Sequence, residues 1–303
     1  MKILVTGSTG LVGSALVREL KQAGHTVCRL VRPQTNAAAI RGNEGFDVTW
    51  DPVTGELGGA AVGADAVVNL AGASIAGGRW TAERKTLLRS SRVDTTHALV
   101  NALAKMAARP RVLVSASAIG FYGTRGEEVL NEDSVPGNDF LSELARDWER
   151  EAEKAEALGI RVVLPRMGVV LAREGGALPQ MARPFRMGVG GKLGSGQQWM
   201  SWISLEDVIA VYRLALENGN VRGAINVVAP QPVRNAEFTR ELAKALHRPA
   251  LFPAPAFALR LMLGEMADAL LLSSQRVVPT RLEKLGYKFL HASLGPTLSQ
   301  LLS

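Results

Sequence analysis

The stretch KILVTGSTGLVG, residues 2–13, decides the fold. Ile3, Leu4, Val5 and Thr6 are apolar or β-favouring, Gly7, Gly10 and Gly13 follow, and an apolar helical periodicity begins at once. A buried strand feeding a glycine-rich turn at a helix N-terminus is an anion cradle. Backbone N–H groups and the helix dipole both face the anion, and glycine lets a phosphate approach closely. The pattern predicts a pyrophosphate-binding turn for a dinucleotide. A bare strand–turn–helix junction has the same spacing, so the rest of the chain must decide between them.

Working outward, Leu11, Val12, Ala15, Leu16, Val17 and Leu20 mark the buried face of a first helix that Gly24 stops. TVCRLV, residues 26–31, reads as a second strand ending at Arg32 and Pro33. An acid at that strand end accepts from an adenosine ribose, whereas arginine pairs with a 2′-phosphate. No acid follows, and Arg32 stands in its place, which favours NADP(H) over NAD(H). A solvated arginine at a strand end is the alternative. A short helix is expected at residues 37–40. FDVTW, residues 46–50, reads as a third strand closing on Asp51, which either faces the adenine edge or caps the turn.

AVVNL, residues 66–70, is apolar apart from Asn69 and reads as a strand buried on both faces. Ala71, Gly72 and Ala73 after it let a flat ribose or ring lie against the backbone. Residues 80–106 show one long helical pattern with Leu87, Leu88, Leu99, Val100, Leu103 and Met106 as core. Arg89, Arg92, Thr95 and Thr96 cluster on its other face, either reaching a phosphate or facing solvent. RVLVS (111–115) is the next strand, residues 141–158 form a charged helix, and RVVL (161–164) is a sixth strand. Strands and helices at this rhythm predict an α/β fold, a doubly wound Rossmann parallel sheet, and the opening turn becomes a dinucleotide site.

Past residue 165 the texture changes. GVGGKLGSG (188–196) is glycine-dense, and QWMSWIS leads to Glu206 and Asp207, which read as N-terminal caps of a helix over 208–216. A short strand at 226–228 and helices at 233–246 (capped by Asn235) and 257–272 follow, then residues 281–285 and a C-terminal helix. We expect a Rossmann domain over 1–165, its sheet completed in part by later segments, and a smaller C-terminal α/β lobe over 166–303, distinct again from about residue 250. Trp199 and Trp202 either wall a pocket or pack in the core. Arg183 and Arg186 are the arginines best suited to an anionic substrate group, with helix capping or surface pairing as the other readings.

Composition narrows the function classes. The chain has 303 residues, 47% hydrophobic and 21% charged, an ordinary globular balance. No stretch reaches the roughly 18 apolar residues that cross a membrane. No leader pattern precedes the first strand, so the expected location is cytoplasmic. Cys28 is the single cysteine, which excludes an intrachain disulfide, and the four histidines show no metal-ligand spacing. Net charge is +7, but Lys and Arg are dispersed and aromatics make up only 5%, which argues against nucleic-acid readout.

Taken together, VTGSTGLVG (5–13), NLAG (69–72), SASAIGFYG (115–123), RMGVVL (166–171), SWISLEDV (201–208) and NVVAPQPVRNAEF (226–238) make the chain resemble the extended short-chain dehydrogenase/reductase family almost end to end. RWTAERK, SSRVDTTHALV, FRMGVGGKLGSGQQWMSWI and SQRVVPTRLEKLGYKF make it similar to the atypical epimerase-like branch, which has a C-terminal domain of unknown function and no assigned reaction. The resemblance implies NADP(H) held by Gly7, Thr9, Gly10, Leu11, Val12, Gly13, Arg32, Leu70, Ala71, Arg92 and Val170. Gly10, Leu11 and Val12 would take the pyrophosphate, Arg32 the 2′-phosphate, Leu70 and Ala71 the adenosine side, and Val170 would lie beside the nicotinamide. Relatives often pair through their two long helices, so a homodimer is expected.

The departure from the family is as informative. Its active members carry a tyrosine and, four residues on, a lysine that lowers the phenol pKa and holds the ribose, so that tyrosinate moves a proton while nicotinamide takes hydride. The corresponding window here is FLSELA, residues 140–145, with neither. Depending on register, Phe140 and Leu144 or Leu141 and Ala145 replace the pair. Ser117 survives as a hydroxyl donor to a substrate oxygen, and Tyr122 is the nearest phenol, in a turn where the family uses its ring structurally. A Ser117, His97, Asp94 arrangement lacks nucleophile-elbow spacing. Two functions follow as expectations: an oxidoreductase-like or epimerase-like enzyme with a non-standard proton donor and an anionic or nucleotide-linked substrate, or a cofactor-binding scaffold. Arg32→Asp is expected to turn preference toward NAD(H). Equal NADPH affinity in mutant and parent would remove Arg32 from the 2′-phosphate.

Overall fold

The computed structural model describes residues 1–32 and 46–303, so the short helix expected at 37–40 lies outside the described residues. Among the described residues, seven parallel strands build the main sheet: β1 (Lys2–Thr6), β2 (Thr26–Val31), β3 (Phe46–Thr49), β4 (Ala66–Asn69), β5 (Val112–Ser115), β6 (Arg161–Met167) and β7 (Gly223–Val227). Their order is β3-β2-β1-β4-β5-β6-β7, and the two-residue strand Ser117–Ala118 pairs with the end of β6. The chain reverses its direction of travel across the sheet between β1 and β4, the place where such sheets open a crevice beyond their strand ends.

The continuous apolar runs of the strands follow from burial on both faces. Ile3 and Val5 pack with Leu16, Val17 and Leu20 of α1 (Leu11–Gln22), and with Val208, Val211 and Tyr212 on a second helix. Leu4 points the other way, into a layer with Leu99, Leu103 and Ala152. Side chains alternate face along a strand, so the run Ile3, Leu4, Val5 serves two cores.

The long helix expected over 80–106 is two helices, α2 (Ala82–Ser90) and α3 (Val93–Ala104). Polar side chains compete with the helical bonds at the break. The Ser91 hydroxyl donates to Leu88 O and accepts from Ala73 N, and Arg92 donates back to Leu88 O. Next comes α4 (Phe140–Glu153), capped by Asp139, whose carboxylate accepts from Ser142 N at 2.9 Å. A 3-10 turn, Lys154–Leu158, replaces the last turns expected of it, and Gly159 at φ +79° ends it.

Among the described residues, the later part of the chain contributes α5 (Ala177–Arg186), α6 (Leu205–Glu217), α7 (Asn235–Ala245), α8 (Ala256–Leu263), α9 (Thr280–Lys284) and α10 (Leu294–Leu302). The helix α6 is the one whose Val208, Val211 and Tyr212 cover the sheet. The strand expected at 226–228 is longer and is β7 itself. Asn235 does not cap α7: its Oδ1 accepts from Leu193 N at 2.8 Å, and Val233–Arg234 pairs with Trp199–Met200 instead of being helical. The helix expected over 257–272 stops at Gly264, φ +63°, before a wider turn at Ala267–Leu272. Ser204 caps α6, accepting from Asp207 N, so of the two acids Glu206 stays outside while Asp207 turns inward. The fully buried Asp207 carboxylate accepts from the Tyr287 hydroxyl and from Leu290 N and His291 N at 2.8–3.0 Å.

A buried ion pair joins α4 to β6. Arg166 donates to Glu149 through Nε at 2.8 Å and Nη2 at 2.7 Å, and both residues are only 5% exposed. The same guanidinium stacks 3.5 Å over the Phe121 ring and donates to the Tyr122 hydroxyl at 3.0 Å. Burial works against the Arg166 charge, but the bonds to Glu149 and Tyr122 outweigh it and hold the group protonated. Removing one partner of such a pair strands the other charge in a low dielectric and costs about 3–5 kcal/mol. Arg166→Met should therefore lower the urea midpoint by that equivalent; a midpoint equal to the parent's would show that the pair does not hold α4 in place.

Candidate functional site: a crevice at the ends of β1, β4 and β6

The glycines of the opening turn have separable roles. Gly7 sits at φ +63°, and a Cβ there would lie 2.4 Å from Leu70 O. A Cβ on Gly13 would lie 2.1 Å from Gly7 O. Both are therefore demanded by the protein's own packing. Gly10 is different: its φ of −75° suits any residue and its nearest neighbour to a Cβ is Gly7 O at 3.4 Å. No protein contact requires glycine at 10, so the open space beside it is available to a ligand. Gly10 is also the N-cap of α1, with no side chain capping the helix and no acid in its first turn. The orphan N–H groups at that end face an exposed Thr9 and Gly10 and half-buried Leu11 and Val12.

The turn at Leu70 and Ala71 is fixed by a knot of hydroxyls and amides. Thr6 Oγ1 donates to Asn69 Oδ1 at 2.7 Å and accepts from Leu70 N and Ala71 N at 3.0 and 3.2 Å. Asn69 Nδ2 donates to Thr96 and Ser115 at 2.8 and 3.1 Å, and Trp148 Nε1 donates to Thr96 at 3.0 Å. Thr6 and Ser115 are site-building residues that pattern reading does not assign, and Thr96, expected to reach a phosphate or face solvent, is buried with Thr95 and serves this knot instead. The interruption of the apolar run by Asn69 was the visible signal for the knot at the end of β4.

The remaining predicted cofactor residues lie around this edge. Arg32 is exposed just past the end of β2. Arg92 is half-buried behind the turn, donating to Ala73 O at 2.9 Å, with its guanidinium 5.4 Å from the Trp148 ring. Burial first, and the neighbouring Arg84 second, push its pKa down to about 10. Val170 lies in the short strand Val169–Leu171, which pairs with Trp202–Ser204, and it packs against the core under α1. The loop that follows brings Gly175 and Gly176 against the Leu11 side chain at the start of α1.

The two hydroxyls proposed for proton chemistry are placed otherwise. Ser117 is 1% exposed and donates to Glu149 Oε1 at 2.5 Å. Tyr122 is fully buried, donates to Asn226 Oδ1 at 2.7 Å and accepts from Arg166. Burial raises the Tyr122 pKa, against the opposing pull of Arg166. Both hydroxyls thus serve the ion pair and the β6–β7 contact. On α4, Leu144 and Ala145 are buried, Leu141 packs on Gly120, and Phe140 meets Trp80 edge-to-face at 5.3 Å. Either register presents hydrocarbon where a proton donor would stand.

Other sequence-level choices resolve into structure. Asp51 Oδ1 accepts from Val53 N at 2.8 Å and so caps its turn. His97 pairs with Glu151 at 2.9 Å, away from Ser117. Trp202 is core, and Trp199 lies between the Arg234 and Arg276 guanidinium groups at 4.6 and 4.5 Å. Arg183 and Arg186 are exposed on α5, opposite its buried Leu178, Ala182 and Phe185. Among the described residues there is no His, Cys, Asp and Glu group suited to a metal ion, and no helix long and apolar enough to cross a membrane.

Comparison with known proteins agrees with this architecture. Residues 3–228 match the NAD dependent epimerase/dehydratase family, and residues 254–301 match a domain of unknown function, DUF1731. An epimerase family protein of Mycobacterium bovis is 42% identical over 98% of this chain and 96% of its own. The chloroplastic SDR39U1 homolog of Arabidopsis thaliana is 42% identical over 95% of this chain and 83% of its own. The crystal structure of human epimerase family protein SDR39U1 with NADPH superposes with a TM-score of 0.88 at 34% identity, covering 100% of this chain and 99% of that one. The chain belongs to the NAD dependent epimerase/dehydratase family.

Proposed function

We propose that this protein binds NADP(H) in the crevice between β1 and β4 and uses it on an anionic or nucleotide-linked small molecule, as an epimerase-like or oxidoreductase-like enzyme. The observation that carries the reading is Gly10, a glycine that the chain's own packing does not need, at the uncapped N-terminus of α1. An anion there meets backbone donors and a positive helix end. The residues fit the cofactor: Gly7, Thr9, Gly10, Leu11, Val12 and Gly13 around the pyrophosphate, Arg32 at the 2′-phosphate, Leu70 and Ala71 on the adenosine side, Arg92 behind them, and Val170 toward the nicotinamide. The NADPH in the human relative's crystal structure supports the same choice.

When bound, the nicotinamide supplies hydride exchange; this chain's part is to orient it and to exclude water. Leu141, Leu144, Ala145 and Phe140 make the α4 side of the site apolar, and none of them moves a proton. With Ser117 and Tyr122 held inside by Glu149, Arg166 and Asn226, proton transfer falls to the substrate or to solvent. That same commitment of both hydroxyls favours a second reading, a cofactor-binding protein with little turnover that acts through a partner. The expected location is cytoplasmic and the expected assembly a homodimer.

Titration by nucleotide fluorescence should show NADPH bound at least tenfold tighter than NADH, and Gly10→Val should weaken NADPH by at least tenfold. Unchanged affinity in Gly10→Val would make the turn purely structural. Absorbance of the reduced nicotinamide is then followed with nucleotide sugars, quinones and aldehydes. Turnover supports the enzyme, whereas cofactor that never changes redox state across the panel supports the scaffold.

A further inference from the structure

A groove of about 590 Å³ runs between α7 and residues 248–253, and none of the residues placed at the cofactor lines it. Its size is that of a small-molecule pocket. Ala236, Arg240 and Ala243, spaced at i, i+4 and i+7, set one face of α7 along it, and the two alanines leave it room. The facing wall is tied down. Phe252 N donates to Gly190 O at 3.1 Å and Ala254 N to Lys192 O at 2.9 Å. A Cβ on Gly191 would lie 2.2 Å from Phe252 O, so glycine there lets the two segments close up. The chain enters this wall through His247 at φ +51°, the one non-glycine residue in the left-handed region among the described residues. His247 N and Arg248 N close the end of α7 on Lys244 O and Ala243 O at 3.1 and 3.0 Å.

Three cations, Lys192, Arg240 and Arg248, line the groove, and no acidic residue does. Arg240 is exposed and reaches Glu241, its neighbour in sequence, at 3.3 Å. Lys192 and Arg248 make no side-chain hydrogen bond or ion pair among the described residues. Thr239 is only 7% exposed, lines the same space, and its hydroxyl has no hydrogen-bond partner among the described residues. A buried hydroxyl ordinarily finds one, on a helix often the carbonyl one turn back. Leu251, 71% exposed, adds an apolar surface on the opposite wall.

We propose that this groove is a binding site for a small organic anion, a phosphate or carboxylate carried on a short apolar body. The cations draw the oxyanion in, and Arg248 offers it a planar fork of N–H donors with no other partner. The Thr239 hydroxyl gains the bond it otherwise lacks, and Leu251 and the α7 alanines cover the apolar body. The concave shape and the buried hydroxyl favour a small molecule over an acidic chain laid across a flat basic surface. Residues 236–253 fall between the two family matches, at 3–228 and 254–301, so α7 and its facing wall belong to neither. The site stands apart from the NADP(H) reading and does not depend on it.

The test is calorimetric titration of phenyl phosphate and of benzoate into the full chain at low ionic strength, with NADPH in excess to fill the glycine turn. At least one probe should bind more tightly than inorganic phosphate, which lacks the apolar body, and the tighter probe identifies the head group. Arg248→Gln should weaken that probe by about fivefold or more. Thr239→Val should weaken it by about threefold or more, while Thr239→Ser, which keeps the hydroxyl, should bind like the parent. Binding of neither probe by the parent overturns the site, as does inorganic phosphate binding as tightly as both. Equal affinity in Arg248→Gln overturns it by placing the probe elsewhere. Equal affinity in Thr239→Val overturns it by leaving only diffuse surface charge. Both variants read the groove itself, so the result stands whether or not the turn holds NADPH.

Discussion

The Thr6 hydroxyl is the interaction on which the crevice depends. It is a donor to Asn69 and an acceptor from two successive amides, so one side chain at the end of β1 fixes both the last residue of β4 and the direction in which the chain leaves it. Asn69 passes the constraint on to β5 through Ser115 and to α3 through Thr96. Each bond contributes only about 1 kcal/mol net, but the cost of leaving any of these buried groups unpaired is larger, so the arrangement is close to all-or-none. With Leu70 O held in place, only glycine fits at position 7, and the turn that presents Gly10 follows from that fit.

A second polar network sits on the opposite side of the same crevice. Ser117, Glu149, Arg166, Tyr122 and Asn226 run from the end of β5 through α4 and β6 to β7, with every named link between 2.5 and 3.0 Å. Here polar groups that would be chemically useful at a surface are consumed internally. The face of α4 turned to the site is hydrocarbon, which excludes water and offers no acid or base.

Much of this was legible in the sequence, and the limits have physical causes. Strands buried on both faces announce themselves as apolar runs, so the first six strands, the crossover rhythm and the glycine turn were readable. Helix ends were harder. The break between α2 and α3 comes from Ser91 and Arg92 bonding to a loop nearly twenty residues away, which no local periodicity encodes. Asn235 looks like a cap but answers to Leu193 N, because a tertiary partner outcompeted the helix end. Tyr122 and Ser117 illustrate the same limit for chemistry. Sequence shows that a hydroxyl is present, while only the folded neighbourhood, here Glu149, Arg166 and Asn226, shows whether it is free.

Asp207 has a consequence beyond its own hydrogen bonds. Its carboxylate, on the first turn of α6, is sealed from water by amides and a phenol that arrive from residues 287–291. That segment belongs to the part of the chain matched by a separate domain family. Two sequence families therefore share one folding unit. Cleaving or truncating the chain ahead of that segment would not release a self-sufficient nucleotide-binding domain; it would strip the buried Asp207 carboxylate of the Tyr287, Leu290 and His291 donors and leave it the Ser204 hydroxyl. The chain end is best regarded as the last component of the core, and fusions or shortened versions are better designed around an intact C-terminus.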